Sequence, residues 1–526
     1  MSFREQVVMQ RNELRDGEMR QVSVGETDVL LVRRGGRYAA FHAHCTHYGA
    51  PLADGVLSGD RIVCPWHHAC FNASSGDQLE PPGLDALDAY DVRIDGDDVV
   101  VRVPEEAGGH RIVEMSRRDP ADDRTFVILG GGAAGEYALE GLREKGFSGR
   151  VVLITKEAET PCDRPNCSKD YLQGKAPEEW MFLRGAAFYD DLDIERLHNR
   201  TVVKLDAAAK RLTFENCDEM DFDGIVICTG GVPRTLDVDG AELPGVHVLR
   251  SYRDAEELLA AGREASHAVV VGAGFIGMEA AWSLKELGVD TVTVVAPEDV
   301  PFAAAFGERV GKMVQSIHEE HGVRFRLGRI VQAFEGDDRV ERVVIDDGEA
   351  LEADLVIVGV GVRPATDFID GLELAGDGAV VVDEQMRAAD GVYAAGDIAQ
   401  FPYWLTGRAT RIEHWRLACQ HGRIAGYNLA GEETAYRSVP FFWTAHFGTN
   451  IRYVGHADAW DVILFDGRPE DRSFIAFYVQ GGEVVAASGC GRDREMAAIE
   501  ELLRRRKVPS IDVLEGGDVD YVGLLD

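Results

Sequence analysis

No stretch of the 526-residue sequence holds about 18 consecutive apolar residues, so no segment is expected to span a membrane. The opening MSFREQVVMQRNEL is polar and lacks the apolar core of a secretory leader. Cysteine is sparse and scattered, with 9 residues and none of the dense spacing of a disulfide framework. That excludes a small disulfide-braced secreted protein and points to a reducing, cytoplasmic setting. Positive charge is short as well. The 55 Lys and Arg face 91 Asp and Glu, a net −36, which argues against nucleic acid or an anionic membrane as a partner. Lysine is shorter still, at 9 of those 55. Acid excess with little lysine fits a salt-adapted protein, and a GC-rich coding sequence gives the same arginine bias.

What is present is length for three or four domains and an apolar share of 45%, enough for sizeable cores. Residues 1–104 read as a small β domain, with strand-like runs at 28–33, 38–42 and 98–103 between Gly-Gly, Asp-Gly and Ser-Gly turns. Two short strings stand at loop tips of this sheet: Cys45-x-His47 and Cys64-x-x-His67, sixteen residues apart. Each offers one thiolate and one imidazole. Two of each suit a [2Fe–2S] cluster in which histidines replace cysteines on one iron, which leaves that iron easier to reduce and near solvent. A Cys2His2 zinc site is the competing assignment, but zinc fingers place their two cysteines together and their two histidines together. The strings resemble the Rieske ferredoxin pattern, including the Gly49 and Pro51 after the first pair. His42, His44 and His68 miss the ligand spacing and are read as surface groups or groups that brace the ligands; Cys70 is read as a packed thiol. High-potential relatives of this pattern brace the loops with a disulfide and hydrogen-bond the cluster with Ser and Tyr hydroxyls. Here those positions are Ala50, Trp66, Ala69 and Phe71, so a low potential is expected.

Residues 105–124 are charged and weakly periodic and read as a flexible linker. The period then changes. A short buried strand, 126–129, runs into Gly130-x-Gly132-x-x-Gly135, a helix pattern and the strand 151–155 followed by Glu157. Strand, glycines, helix, strand and acid together make a dinucleotide fingerprint. The glycines let the backbone approach a pyrophosphate, and the helix N-terminus supplies N–H groups and positive dipole. The acid can hold ribose hydroxyls. The unit recurs at 267–295, with Gly272-x-Gly274-x-x-Gly277. Two such units suggest two nucleotides, one a resident flavin and the other a visiting nicotinamide.

Further strings follow in order: Pro161-Cys-Asp-Arg164-Pro-Asn-Cys-Ser168-Lys169, Cys228-Thr229-Gly230-Gly231, Gly359-Val-Gly361-Val-Arg363-Pro364, Ala394-Ala-Gly396-Asp397 and Glu413-His414-Trp415. The tail adds Val439-Pro-Phe-Phe-Trp443-Thr444, Phe447-Gly448 and Arg452-Tyr-Val-Gly455. Over nearly the whole chain this order resembles the apoptosis-inducing-factor-like, ferredoxin-reductase-type FAD-dependent pyridine nucleotide oxidoreductases that carry an N-terminal Rieske domain. The resemblance implies a multidomain fold: an all-β Rieske domain (1–104), a linker (105–124), an FAD domain in two parts (125–245 and 366–434), an NAD(P)H domain (246–365) and a C-terminal α+β reductase domain (435–526). The two nucleotide domains would be Rossmann-like α/β folds.

By the same resemblance FAD lies on the first unit. Gly130, Gly132, Ala133, Ala134 and Gly135 hold its pyrophosphate, Glu157 its ribose, and Asp397 its ribitol side. Arg164, Thr229, Gly230 and Gly396 are further contacts. Lys169 stands by the flavin N5, paired with Glu279, and a cation there would stabilise anionic reduced flavin; these two are the expected catalytic residues. His414 and Trp415 wall the isoalloxazine. Trp443 covers its exposed edge or packs at a domain seam. The nicotinamide nucleotide takes Gly272, Gly274, Phe275, Ile276, Gly277, Glu298 and Gly361. The sequence departs from the family at Ala296, where an acid for the nicotinamide ribose is usual. It departs again at Cys162 and Cys167, which stand for Tyr and Leu. Their C-x4-C spacing resembles a flavin disulfide pair at another place in the chain, and packed thiols are the plainer reading. The stretch 296–307 lacks Arg and Lys, so NADH is expected over NADPH.

The implied activity is an NAD(P)H-dependent flavoprotein reductase that passes electrons through FAD to the cluster and on to an unknown protein or small-molecule acceptor, as a monomer or homodimer. A redox-sensing flavoprotein with incidental turnover is the alternative, and a disulfide reductase using Cys162 and Cys167 a second. A Rieske oxygenase is not expected, because no histidine spacing beyond the cluster strings suits a two-His, one-carboxylate iron. The C-terminal segment ends in an acidic tail from Asp512, expected to be mobile.

Overall fold

In the computed structural model, which describes residues 2–525, the chain divides into two units. The first takes residues up to Glu114, Arg437–Trp443, and everything from Ile451. The second takes Met115–Tyr436 and Thr444–Asn450.

The first unit begins with a six-stranded antiparallel sheet in the order Phe3–Gln10, Asp98–Pro104, Ala89–Asp95, Arg37–His42, Thr27–Arg34, Met19–Val24. The strand Thr27–Arg34 shows why both its faces are dry. Its period of two sends Val29 and Leu31 to a core with Met9, Val99 and Val101, and Leu30 and Val32 to a second core with Phe41, Leu52, Ile62 and Phe71. The second core carries a small antiparallel sheet, Val56–Ser58, Arg61–Val63, Cys70–Asn72 and Gln78–Glu80, whose middle hairpin bears the second ligand string.

The C-terminal part is a five-stranded antiparallel sheet in the order Phe441–His446, Thr449–Gly455, Glu483–Cys490, Ser473–Gln480, Val462–Arg468. The helix Asp493–Arg504 buries Met496, Ile499, Leu502 and Leu503, and turns Glu500 and Glu501 toward the N-terminal sheets. Glu501 accepts hydrogen bonds from Ser58 Oγ at 2.6 Å and Arg61 Nε at 2.9 Å, and Arg61 also reaches Glu80 at 2.6 Å. Glu500 pairs with His68, and Arg505 donates to Ser58 at 2.6 Å. Modules that the sequence separates by more than 300 residues therefore share one unit with a buried ionic seam.

Two expectations are corrected. The stretch 105–124 is not a free spacer. His110–Arg111 pairs with Ala86–Leu87 in the first unit, and His110 Nδ1 meets Asp85 at 2.7 Å. Further on, the Ser116 and Asp119 N–H groups donate to the Arg143 and Ser148 carbonyls in the second unit, at 2.9 and 2.7 Å. Nor is the tail loose. It holds a helix, Ile511–Gly516, and buries Tyr521 and Leu525. The Tyr521 hydroxyl reaches Asp466 at 3.0 Å, and the Leu525 carbonyl takes Arg505 at 2.7 Å. Its acids sit between apolar anchors that charge counting overlooked.

The second unit contains two parallel sheets. One runs Ile194–Leu197, Arg150–Ile154, Thr125–Leu129, Gly224–Ile227, Val392–Ala394, with Arg387–Ala389 added antiparallel at the edge. The other runs Val246–His247, Leu355–Val358, His267–Val271, Thr291–Ala296, Val323–Leu327. The first sheet is thus interrupted in sequence by the second. The helices Ala133–Glu144 and Trp415–Leu429 pack against one another over the first sheet. Among the described residues no helix is long and apolar enough to cross a membrane.

Candidate cluster and nucleotide sites

The two ligand strings fold into matching loops. The Cys45 N–H donates to the Ala50 carbonyl and the Cys64 N–H to the Ala69 carbonyl, both at 2.9 Å. Each closed loop turns its thiol and its imidazole to one side. His47 Nδ1 and His67 Nδ1 come within 3.1 Å of one another, and the Cys45 and Cys64 thiols are in hydrogen-bond contact. Four donors of the right chemistry thus face a common point. The backbone N–H groups of His47 and Tyr48 approach the Cys45 sulfur, and those of Trp66 and His67 approach Cys64. Burial pushes the Cys64 thiol up, but its thiol partner, these N–H groups and the Arg452 guanidinium outweigh burial and hold it below its ordinary value. The donor set fits a [2Fe–2S] cluster bound through two Cys sulfurs and two His Nδ1 atoms. Ala50, Ala69 and Phe71 are buried around it and offer no side-chain donor.

The surroundings of the ligands come from far along the chain. Arg452 Nε donates to the Trp66 carbonyl at 2.9 Å and pairs through its other end with Asp493. His68, read above as a surface or bracing group, is fully buried, pairs with Glu500 and stacks on Phe441 at 4.2 Å. Trp443 lies beside the two candidate ligand histidines, 4.3 Å from the His67 ring and 6.1 Å from His47. Tyr48 stacks on His47 at 3.8 Å, and Tyr48 and Trp66 are exposed. The histidine side of the cluster site is therefore ringed by aromatic groups.

In the second unit both fingerprints have the same geometry. Gly130 and Gly272 take φ of 122° and 110°, which L side chains avoid. A Cβ on Gly135 would stand 2.0 Å from the Gly130 carbonyl oxygen, and one on Gly277 would stand 2.1 Å from that of Gly272. Only glycine lets the helix pack this close to the strand. Neither helix has a side-chain cap at its Gly132 or Gly274 start, so first-turn N–H groups are left to an anion.

Around the first fingerprint the expected residues gather. Arg164 reaches Glu157 at 2.7 Å and the Arg250 carbonyl at 2.8 Å, and its Nε lies next to Gly132. Arg250 in turn reaches Asp397 at 3.0 Å beside Gly230. Thr229 donates to the Ala365 carbonyl at 2.8 Å, and Gly396 lies against Ala134 and Ala418. His414 precedes the helix Trp415–Leu429, whose Ala418 makes that contact, and Trp415 opens it; both are half-buried. The charged ring and uncapped helix suit a dinucleotide pyrophosphate with its flanking hydroxyls. Arg250 belongs to this ring but stands outside every sequence motif.

Lys169 and Glu279 meet at 2.7 Å, 15% and 4% exposed. Ser168 Oγ adds a second donor to the same carboxylate oxygen at 2.6 Å, and Thr444 Oγ1 donates to the other at 2.7 Å. Ser168 and Thr444 stood in the sequence strings without a role. Cys162 and Cys167 are buried free thiols in mutual contact. At the second fingerprint, Gly272 abuts the Gly359 carbonyl, while Gly274 and Gly361 face open space. Phe275 packs on Phe302 at 5.0 Å, and Ile276 is exposed. Glu298 does not join this group. It is exposed past the strand Thr291–Ala296, whose last carbonyl takes the Arg329 N–H at 3.0 Å.

Three family models match the chain: pyridine nucleotide-disulphide oxidoreductase over residues 124–422, Rieske [2Fe-2S] domain over 4–91 and reductase C-terminal over 441–521. Apoptosis-inducing factor 3 of Homo sapiens is 36% identical over 518 residues, covering 95% of this chain and 84% of the relative. Rhodocoxin reductase of Rhodococcus erythropolis is 34% identical over 383 residues, 72% of this chain and 89% of the relative. Among solved structures, the covalent putidaredoxin reductase–putidaredoxin complex superposes with a TM-score of 0.73 at 28% identity, over 77% of this chain and 98% of that one.

Proposed function

The chain belongs to the pyridine nucleotide-disulphide oxidoreductase family, as an NAD(P)H-dependent flavoprotein reductase with its own Rieske domain, and on that premise we propose the roles of its residues. FAD on the first fingerprint would supply hydride acceptance and single-electron release, and Cys45, His47, Cys64 and His67 would hold a cluster that supplies one-electron carriage. The uncapped N-terminus at Gly132 and Arg164 hold the pyrophosphate. Glu157 holds ribose hydroxyls, and Asp397, set by Arg250, takes the ribitol side. His414 and Trp415 wall the ring system. The second fingerprint binds the nicotinamide nucleotide and releases it. NADH is favoured over NADPH, because Glu298 and Asp299 flank the strand end and the nearby Arg329 is engaged by Asp347 at 3.1 Å.

The observation that carries the reading is the buried Lys169–Glu279 pair. A lysine ammonium largely withdrawn from water, donating to the Glu279 carboxylate and to the Pro165 carbonyl at 3.2 Å, is a costly arrangement in a lysine-poor chain, and it suits an atom that must face negative charge. Lys169 therefore stands at the hydride-receiving edge, and Glu279 positions it. The face formed by His47, His67 and Trp443 is the electron exit. The acceptor beyond it is a protein or small molecule, reached in the cytoplasm, where the seven cysteines that do not hold the cluster stay thiols. The chain acts as a monomer or homodimer. The contact of Cys162 with Cys167 favours a disulfide reductase as a second reading, but both thiols are buried from any substrate.

Rapid mixing with NADH tests the reading. The flavin bands should bleach first and the cluster bands second. His47→Ala and Cys64→Ser should abolish the second phase and the paramagnetic cluster signal while leaving the first. Survival of the cluster signal in either variant would remove the ligand assignment. Lys169→Met should slow flavin bleaching at least tenfold.

A further inference from the structure

The Glu279 carboxylate is the inner end of a hydrogen-bonded chain that the reaction described so far does not use. Thr444 Oγ1 donates to Glu279 Oε1 at 2.7 Å. The same hydroxyl lies 3.1 Å from His446 Nε2, since residues 444 and 446 share one face of the strand Phe441–His446. His446 Nδ1 lies 3.1 Å from His318 Nε2, on the helix Glu308–Glu320. Thr444, His446 and His318 are fully buried.

Donor counting fixes the direction of every proton. Thr444 has one hydrogen and gives it to Glu279, so His446 Nε2 must carry the hydrogen it shares with Thr444. A neutral imidazole has only one, so His446 Nδ1 is an acceptor and His318 Nε2 donates to it. His318 Nδ1 is then a bare acceptor, and it has no hydrogen-bond partner among the described residues. Both rings are neutral. Burial pushes His318 down to about 3, with His321 adding to it, and burial, His318 and Lys169 push His446 well below its ordinary value. Lys169, Ser168 and Thr444 face Glu279, Lys169 and His318 face His446, and the exposed His321, stacked on Phe447 at 4.0 Å, faces His318. The whole chain points at Glu279.

We propose that His318, His446 and Thr444 are a proton relay that neutralises Glu279 when hydride charge arrives beside Lys169 and restores it when electrons leave. This rests on the reading that the Lys169–Glu279 pair faces the flavin. Before the hydride arrives, ammonium and carboxylate cancel. The hydride adds one negative charge, which the Lys169 ammonium then matches, and Glu279 would be left as a buried charge without a counter-charge. In the relay a solvent proton bonds to His318 Nδ1. The His318 Nε2 proton passes to His446 Nδ1, the His446 Nε2 proton to Thr444 Oγ1, and the original Thr444 proton to Glu279 Oε1. Four bonds to hydrogen form and three break, so one proton is taken up. Both imidazoles end neutral in the other tautomer, Thr444 keeps a hydroxyl, and no electron moves along the chain. The same steps run backward as electrons depart. Thr444, His446 and His318 are positioning residues that act through Glu279.

The test is the number of protons taken up per two electrons by FAD in the intact protein, read from the pH dependence of its midpoint potential at the flavin bands. It is made over the range where free FAD takes up one. The protein should take up two, Thr444→Val and His318→Phe one, and Thr444→Ser two again. One proton in the unaltered protein, or two in Thr444→Val, overturns the relay. Lys169→Met separates the premises: it should move the midpoint at every pH, and a midpoint it leaves unmoved would instead remove the placement of the pair at the flavin.

Discussion

Glu136 sits in the first turn of the helix Ala133–Glu144 with no exposure, held by the Tyr189 hydroxyl at 2.8 Å. Burial first, and the neighbouring Glu140 second, push its carboxyl up to about 8. Arg184 is bound instead to Glu140 at 2.7 Å. A folded-state acid raised above its unfolded value of 4.5 keeps its proton while the unfolded chain loses one. Stability therefore falls as pH rises from about 4.5 to about 8, by at most about 5 kcal/mol. Glu136→Gln keeps the acceptor for Tyr189 and removes this loss. Denaturant midpoints of the variant and the parent should agree near pH 4 and separate at pH 8, with the variant more stable. Parallel pH profiles would show that Glu136 is already ionised in the fold. This residue also marks a limit of sequence reading. Its place after Gly135 was evident, but a glutamate in a first helical turn reads as a partner of the helix dipole, and only packing shows that water does not reach it.

At the scale of elements, the helix Asp493–Arg504 does two jobs. One face supplies Met496, Ile499 and Leu502 to the sheet, and its last turns carry Glu500 and Glu501 to the cluster-bearing sheets. Glu501→Leu would leave Ser58 without its buried acceptor and Arg61 with Glu80 alone, a loss of about 2–3 kcal/mol. Thermal unfolding followed at the cluster bands should shift accordingly, and a change below about 1 kcal/mol would place the seam's stability in its apolar contacts. The apolar stripe of this helix was legible, because it repeats at helical spacing. The seam was not, because Ser58, Arg61 and Glu501 share no local pattern. The same holds for the nucleotide sites. The fingerprints are contiguous strings whose glycines have one steric explanation, so they were read with their ligands. Arg250, His318 and His446 come from segments with no motif, and folding alone brings them to Asp397 and Glu279.

For the whole molecule, the sequence suggested a cluster domain on a flexible lead of about twenty residues. The chain instead passes between the two units four times, at residues 114–115, 436–437, 443–444 and 450–451. Trp443 and Thr444, consecutive residues of the strand Phe441–His446, form one of these crossings. Electron transfer to the cluster should therefore be first order, with a rate independent of protein concentration. A single cleavage engineered at the exposed Glu105–Glu106 should leave the fragments together and the rate unchanged, because Glu501 and Glu500 still hold residues 58, 61 and 68. A rate that becomes proportional to concentration after that cut would restore the single-lead picture. The seam also sets an order of events at the ribosome. Ser58 is made 443 positions before Glu501. At roughly 5–20 residues per second, the cluster-bearing sheets wait some tens of seconds for the carboxylates that complete them. A nascent or prematurely ended chain thus carries Cys45, His47, Cys64 and His67 without Glu500, Glu501 or Arg452, and assembly of the proposed electron exit is among the last steps of its synthesis.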